Sequence, residues 1–414
     1  MKGMKILIVS NFYYNRGGDC TYMFSLKRLL EEKGHKVIVF SMHHPLNFES
    51  EYSDYFVEYI NYDQAVKRIN ISTGFEVLSR AVFSLEAMRK IERLIVEERP
   101  DIAHLQNIHH HITPSIFYPL KKNNIPIVWT LHDFVLICPN TSFLANGRIC
   151  ERCKKIKYFW PPLVRCKKNS ILASFMAGLE TALHRLMRVN DIVDVFIAPS
   201  EFLRNKLIEY GFKEERIVCL HNFNNIETEI DGSYDKGYYL YIGRLSHEKG
   251  IKTLIDASIM ANAGTLKVVG DGPLRDEMVS YIRAGKGNAN IEFLGHKNHN
   301  EVIELLKGAR FLVLPSECYE NFPYSIVEAF SCGKPVIASR LGGIPELVKN
   351  WQTGILFKPG DSENLSLKIR FLFNHPDKAR TLGENAKRFV DEVLNKDIYY
   401  KRLIGIYEGL IDKR

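Results

Sequence analysis

The sequence predicts an α/β protein built as two doubly wound parallel-sheet domains, and three observations carry that expectation. The chain has 414 residues, too many for one ordinary hydrophobic core and well suited to two. Short, β-rich apolar runs alternate with amphipathic stretches, the pattern of strands buried on both faces beneath helices. That series also begins twice, first at Lys5 and again near residue 237.

In the first half, KILIVSN from Lys5 reads as the opening strand. A loop holding Gly17-Gly18 and an amphipathic helix from about Cys20 to Lys33 follow, and Gly34 ends the helix. Strand KVIVFS completes a βαβ unit, and DIAHLQN, IPIVWTLHD and VDVFIAPS supply further strands. In the second half YYLYIGR, TLKVVGDG, IEFLG, RFLVLPS and KPVIAS read as strands. The helices between them are GIKTLIDAS, LRDEMVSYIR, VIELLKGA and YSIVEAFS. The polar, Asn-rich segment His221 to Lys236 is the expected linker. The expected domains are therefore 1–222 and 223–396, with a final helix, 397–414, returning to the first. Open parallel sheets bind ligands beyond the carboxyl ends of their strands. Two such sheets facing one another would gather their strand-to-helix loops in an interdomain cleft.

Hydrophobic residues make up 46% of the chain and charged residues 25%, a balance that excludes disorder as its main state. ILIVS, after Lys5, is too short for a signal peptide and lacks a small-residue cleavage site. No apolar run reaches the roughly eighteen residues a membrane span needs. The best candidate, ILASFMAGLETALHRLM from Ile171, is interrupted by Glu180, His184 and Arg185. The expected location is cytoplasmic. The net charge is +8, and roughly +7 of it falls before residue 222, an asymmetry that points to an anionic surface. Arg152, Lys154, Lys155, Lys157, Arg165, Lys167 and Lys168 surround Tyr158, Phe159 and Trp160. Cations mixed with aromatics suit a lipid headgroup surface, peripheral at the inner face of the cytoplasmic membrane. A solvated basic loop is the other reading. No nucleic-acid recognition motif is present.

Four stretches carry chemistry. Pro315 to Ser339, PSECYENFPYSIVEAFSCGKPVIAS, starts at a strand end and places Glu328 eight residues beyond Glu320. Pro323 suits a first helical turn, which would set Asn321 and Phe322 at a helix N-terminus that attracts phosphate. Glu328 lies in an apolar run, where a carboxylate needs hydrogen bonds. Ribose hydroxyls would supply them, as would nearby Ser or backbone N–H groups. GRLSHEKG, Gly243 to Gly250, puts Arg244 and Lys249 on a strand-to-helix loop, a seat for a diphosphate leaving group unless both are merely solvated. Gly17-Gly18 either cradles a phosphate or permits a tight turn. It is not GxGxxG, which argues against a dinucleotide oxidoreductase. LHD, Leu131 to Asp133, places His132 at a strand end, within reach of a substrate hydroxyl or as a structural hydrogen-bonder.

At these residues the chain resembles, over essentially its whole length, the retaining family-four (group 1) glycosyltransferases, which have the GT-B fold of two Rossmann-like domains. Glu320 and Glu328 match that family's Glu-seven-residues-Glu pair, and GRLSHEKG matches its GRL-x-x-EKG loop. VVGDGP at Val268 matches a G-x-G-P loop and LGH at Leu294 a base-contacting turn, while APSEF at Ala198 and LGGIPELV at Leu341 also fit. The resemblance implies sugar transfer from a nucleotide-diphosphate sugar without a catalytic metal or other cofactor. Glu328 would then bind the ribose, Glu320 the transferred sugar, and Arg244 with Lys249 the diphosphate. Asn321 and Phe322 would add N–H contacts, and the turn around His296 would hold the base. Gly18, Gly243 and Gly270 would approach the donor, and His132 would sit by the reacting sugar. Retention would need no enzyme nucleophile, because the leaving phosphate oxygen takes the acceptor's proton. Pro323 departs from the pattern, since many relatives carry Gly there. The first domain would be the acceptor side and the second the nucleotide-sugar side. With the basic excess on the first, the expected acceptor is a lipid-linked or surface glycan of cell-envelope polysaccharide biosynthesis. A nucleotide-sugar epimerase and a catalytically silent glycan-binding relative are the rival readings. The first would form product from donor alone, and intact Glu320, Glu328, Arg244 and Lys249 argue against the second.

Cys138, Cys150, Cys153 and Cys166 form a separate cluster with a central CxxC. Among reduced thiols this spacing makes a candidate structural zinc site. Unconnected thiols or a redox-sensitive pair are the alternatives.

Overall fold

The computed structural model describes residues 3–59, 82–226, 235–284 and 290–413. Part of the expected linker, residues 227–234, lies outside the described residues. The chain divides into two compact units. Unit 1 comprises Met1–Asn146, Cys150–His221 and Tyr399–Arg414, and unit 2 comprises Gly147–Ile149 and Asn222–Ile398.

Unit 1 is built on a parallel sheet of six strands: β1 (Lys5–Val9), β2 (Lys36–Phe40), β3 (Ile102–Leu105), β4 (Ile127–Thr130), β5 (Val195–Ala198) and β6 (Ile217–Cys219). Their order across the sheet is β2-β1-β3-β4-β5-β6. β-Branched runs such as KILIV and KVIVF pack well on a pleated surface covered from both sides, and Ile6 to Val9 are fully buried. The principal helices are α1 (Gly18–Glu32), α2 (Leu85–Glu98), α3 (Trp160–Val164), α4 (Ile171–Leu186) and α5 (Glu201–Glu209). Helix α1 starts at Gly18, about two residues before the sequence reading placed it. Ser84, Ser170 and Ser200 cap α2, α4 and α5 by accepting a backbone N–H through their hydroxyls.

Unit 2 carries the second six-stranded parallel sheet: β7 (Tyr238–Ile242), β8 (Thr265–Val269), β9 (Asn290–Gly295), β10 (Ala309–Leu314), β11 (Val336–Ser339) and β12 (Gly354–Phe357). The order is β9-β8-β7-β10-β11-β12, so the direction of winding reverses between β7 and β10. Its helices include α6 (Ile251–Ala261), α7 (Arg275–Arg283), α8 (His299–Gly308), α9 (Tyr324–Ser331), α10 (Ser362–Asn374) and α11 (Pro376–Val393).

The last helix, α12 (Lys396–Ile411), ends in unit 1. It is held there by polar contacts as well as by buried Leu403 and Ile404. The Tyr407 hydroxyl lies 2.5 Å from His104 Nδ1, and Thr130 Oγ1 lies 2.7 Å from Nε2 of the same ring. Tyr400 reaches His35 at 2.8 Å, and the hydroxyls of Tyr399 and Tyr22 are paired. Burial pushes His104 down to about 3, so the ring is neutral and can accept a hydrogen bond at one nitrogen while donating one at the other. No helix among the described residues is long and apolar enough to cross a membrane.

Candidate functional site

In unit 2 the residues singled out above gather at the carboxyl ends of β7 and β10. Those strands flank the point where the winding reverses, the place where open sheets of this kind leave a crevice. Gly243 and Arg244 leave β7, and a short 3₁₀ turn, His247–Lys249, leads through Gly250 into α6. Lys249 Nζ then reaches across to Glu320, on the loop after β10, and donates to its Oε1 at 2.6 Å. Ser316 donates to the same oxygen at 2.6 Å. Burial pulls the Lys249 ammonium down, but Glu320 more than offsets it, and the net shift is upward. The lysine is therefore firmly cationic, with its charge held at the loop junction.

Backbone contacts explain why glycine recurs here. Gly250, at φ +68, comes so close to the loop that an added Cβ would lie 2.0 Å from the Pro315 carbonyl oxygen. Gly342, at φ +59, likewise leaves room for Glu320, whose carbonyl accepts the Gly343 N–H at 2.7 Å. Glu317 accepts from Thr253 at 2.6 Å, and its own N–H donates to the Glu248 carbonyl at 2.9 Å. Gly270 donates to the Gly295 carbonyl at 2.8 Å, while Gly243 donates to Val269 at 3.0 Å. The three loops after β7, β8 and β9 are thus bonded in series, which aligns Gly243, Gly270 and the turn of His296. His296 itself is exposed, as is Arg244.

Helix α9 spans Tyr324–Ser331, the run YSIVEAFS, with Pro323 as its N-cap rather than inside its first turn. Pro323 has ψ 112, an extended value, so Asn321 and Phe322 lie just before the cap, beside the helix N-terminus. Glu328 is partly rather than fully buried, and it faces His299, whose Nδ1 lies 3.6 Å from Oε1. The carboxylate raises the His299 pKa. Sequence reasoning missed this histidine. Its signal was a cap: Asn298 and Glu301 form a capping box that starts α8 and fixes the ring beside it. Ser316 and the Gly342-Gly343 turn were also missed as supports for Glu320.

In unit 1, Gly18 opens α1 and Gly17 is its cap, with extended φ −179 and no side-chain contribution. His132 follows β4, its Nε2 2.6 Å from the Gln106 amide oxygen and its ring edge-on to Tyr22 at 5.0 Å. Burial lowers its pKa to about 4 against the upward pull of Asp19. The imidazole is neutral, donates through Nε2, and keeps Nδ1 as an acceptor. Beside it, burial raises Asp133 to about 6.

The cysteine expectation requires correction. Cys138, Cys150, Cys153 and Cys166 are free thiols, and burial, with the neighbouring thiols adding to it, raises the pKa values of Cys138, Cys153 and Cys166. Among the described residues, however, no group of three or more His, Cys, Asp or Glu side chains is arranged to hold a metal. Burial raises Cys138 to about 11 and Cys153 to about 12, and Cys138 accepts backbone N–H groups from Asn140 and Phe143.

Comparison with known proteins agrees with this architecture. The pattern described as Glycosyltransferase Family 4 matches residues 16–228, and that described as Glycosyl transferases group 1 matches residues 225–389. An uncharacterized glycosyltransferase of Methanocaldococcus jannaschii, MJ1178, is 26% identical over 99% of both chains. Sucrose-phosphate synthase from Thermosynechococcus elongatus superposes with a TM-score of 0.73 at 21% identity, covering 99% of this chain and 100% of that one. Anabaena HepE in complex with UDP gives a TM-score of 0.67 at 19% identity, covering 98% and 100%. The two sheets therefore have the GT-B fold.

Proposed function

The chain belongs to the Glycosyltransferase Family 4, and we propose that it moves a sugar from a nucleotide-diphosphate donor to a lipid-linked or surface-glycan acceptor. In this reading the anomeric configuration is retained and catalysis needs no metal. The observation that carries the reading is the Lys249–Glu320 pair at the winding reversal of the second sheet. It joins a fixed cation to a carboxylate at the position where a departing diphosphate and its sugar would meet.

The proposed roles follow from the charges. Arg244 and Lys249 stabilise the negative charge that grows on the diphosphate as the glycosidic bond breaks, the part a divalent cation takes in metal-dependent transfer. Glu320 accepts hydrogen bonds from the sugar, and Glu328 accepts them from the ribose. Asn321 and Phe322 offer backbone N–H groups, Gly243 and Gly270 let the backbone approach, and the His296 turn holds the base. HepE, with the same fold, binds UDP, which makes uridine the first base to test. In unit 1 we assign Gly18 a backbone approach to phosphate, and His132 a neutral hydrogen-bonding position beside the reacting sugar. The acceptor's proton passes to the leaving phosphate oxygen on the same face of the sugar, so neither a nucleophile nor a base from the protein is required. Residues 1–222 with 397–414 act as the acceptor domain and 223–396 as the donor domain, at the inner face of the cytoplasmic membrane.

The test is acceptor dependence. Radiolabelled nucleotide sugars are incubated with the purified chain, with and without a membrane-lipid glycan fraction. Transfer of label only when the fraction is present is the expected result. A new sugar formed from donor alone would instead identify an epimerase. Donor binding without turnover under either condition would identify a silent relative.

A further inference from the structure

The segment 150–188 of unit 1 combines two properties that soluble surfaces usually keep apart. It holds nine Lys or Arg against only Glu151 and Glu180, a net +7 of the chain's +8. It also holds eight of the twenty large apolar side chains that stand exposed among the described residues, in under a tenth of the chain. Scattered exposed leucines are ordinary, but a concentration of this kind marks an interaction surface.

Helix α4 shows how it arises. Its inward face is made of small or polar residues: Ser174, Ala177, Gly178 and His184 are buried. Gly178 is required by close packing, because a Cβ there would lie 3.0 Å from the Tyr158 carbonyl oxygen and 3.4 Å from the ring of Pro161, where α3 begins. Glu180 is buried too, 3.3 Å from His110, so its charge is turned away from solvent. The large side chains point the other way. Ile171, Leu172 and Phe175 are each at least half exposed, and Phe159 and Leu163, in and just before α3, are 59% and 67% exposed. A surface helix normally buries its large apolar face, and this one buries its small face and presents the large one.

We propose that this α3–α4 face docks on an anionic lipid bilayer, its apolar side chains entering the interface and its cations meeting the headgroups. Charge decides between a lipid and a protein partner. The cores of protein interfaces are depleted of Lys, whereas here Lys155, Lys157 and Lys168 accompany the apolar residues and are exposed. Glu151, Arg152, Lys154, Lys155, Lys157 and Trp160 also line one shallow groove, with Glu151 paired to Lys206 at 2.9 Å and Arg152 5.0 Å above the indole, so four cations and an aromatic surface against one paired carboxylate are left to meet a phosphate headgroup. At about 24 Å, helix α4 is too short to span and lies along the surface instead. The inference rests on the proposed function only for what the docked protein does there, since vesicle binding is measured without donor or acceptor.

The experiment is flotation of the full chain with vesicles of phosphatidylcholine alone, or of equal parts phosphatidylcholine and phosphatidylglycerol. The wild type should float with the anionic vesicles only, and less as salt is raised. Lys155→Gln with Lys157→Gln should reduce partition about 25-fold, roughly fivefold per charge. Leu163→Asp with Phe175→Asp should abolish it, while circular dichroism and the thermal shift given by UDP stay at wild-type values. The proposal is overturned if the wild type stays in solution with anionic vesicles, or if both double variants float as it does. It is equally overturned if sedimentation shows a dimer that Leu163→Asp with Phe175→Asp converts to monomer, because the apolar face would then be covered by a second copy.

Discussion

Replacing Lys249 with Ala is the most informative single change. It removes a nitrogen paired with Glu320 at 2.6 Å and leaves that carboxylate the Ser316 hydroxyl. Two effects are expected, and they separate. The first is on folding. The Lys249 and Glu320 side chains are 31% and 13% exposed, so breaking their pair should cost about 1–3 kcal/mol, less than the 3–5 of a fully buried one. The second is on ligand. A charged donor to phosphate contributes about 1.5–3 kcal/mol, which corresponds to roughly a ten- to hundredfold weaker Kd for a nucleoside diphosphate. Titration calorimetry with UDP measures the second effect and thermal denaturation without ligand measures the first. The Glu320→Gln background isolates the cause. If Lys249 touches the diphosphate itself, Lys249→Ala should weaken binding as much in that background as in the wild type. Should the loss vanish there, Lys249 acts only by holding Glu320, and the diphosphate role is refuted.

Further consequences concern the supports. Gly342→Ala forces a Cβ to within 2.4 Å of the Glu320 carbonyl oxygen at φ +59, and should lower stability by about 1–3 kcal/mol along with donor affinity; an unchanged melting curve contradicts the packing described. His132→Ala should slow transfer about a hundredfold with little change in donor KM. Because the ring titrates at about 4, the wild-type rate should show no histidine inflection between neutral pH and roughly pH 5, so an acid limb near 6.5 that disappears in the variant speaks against a neutral His132. Tyr407→Phe strands a nitrogen of buried His104 and should cost about 1–3 kcal/mol. His104 has its folded pKa lowered from 6.5 to about 3, so its contribution is complete above 6.5 and is lost as pH falls, by about 2 kcal/mol at about pH 5. Melting temperatures that rise on acidification over that range would reverse the sign.

The sheets were legible because their strands are continuous Ile, Val and Leu runs, a signal that two-sided burial leaves in plain view. Strands β6 and β12 were missed for physical reasons. The first is only three residues long, Ile217–Cys219. The second opens on Gly354, where an added Cβ would meet the Val336 carbonyl oxygen at 2.1 Å, so a close approach removes the β-branched residue a reader looks for. Spacing along the chain brought out Glu320, Glu328, Arg244 and Lys249. It could not bring out the supporting roles of Ser316 and Gly342, which lie in stretches already singled out, nor His299, because each acts on another side chain across the fold. The cysteine spacing brought out four thiols that are near one another, but C-x-x-C fixes only sequence separation, and a donor set able to hold a metal is not found among the described residues. The outward face of α4 was visible only as an interrupted apolar run. Which side of that helix carries the large residues is a property of packing.

The most direct test of the central claim is one-site calorimetry of the full chain against UDP, GDP, ADP and dTDP, repeated with Glu328→Gln. A saturable 1:1 isotherm for at least one base, weakened about tenfold or more once the carboxylate proposed to hold the ribose is neutralised, is the predicted result. No heat with any base, or an isotherm that Glu328→Gln and Lys249→Ala both leave unchanged, would contradict a donor seat on the second sheet.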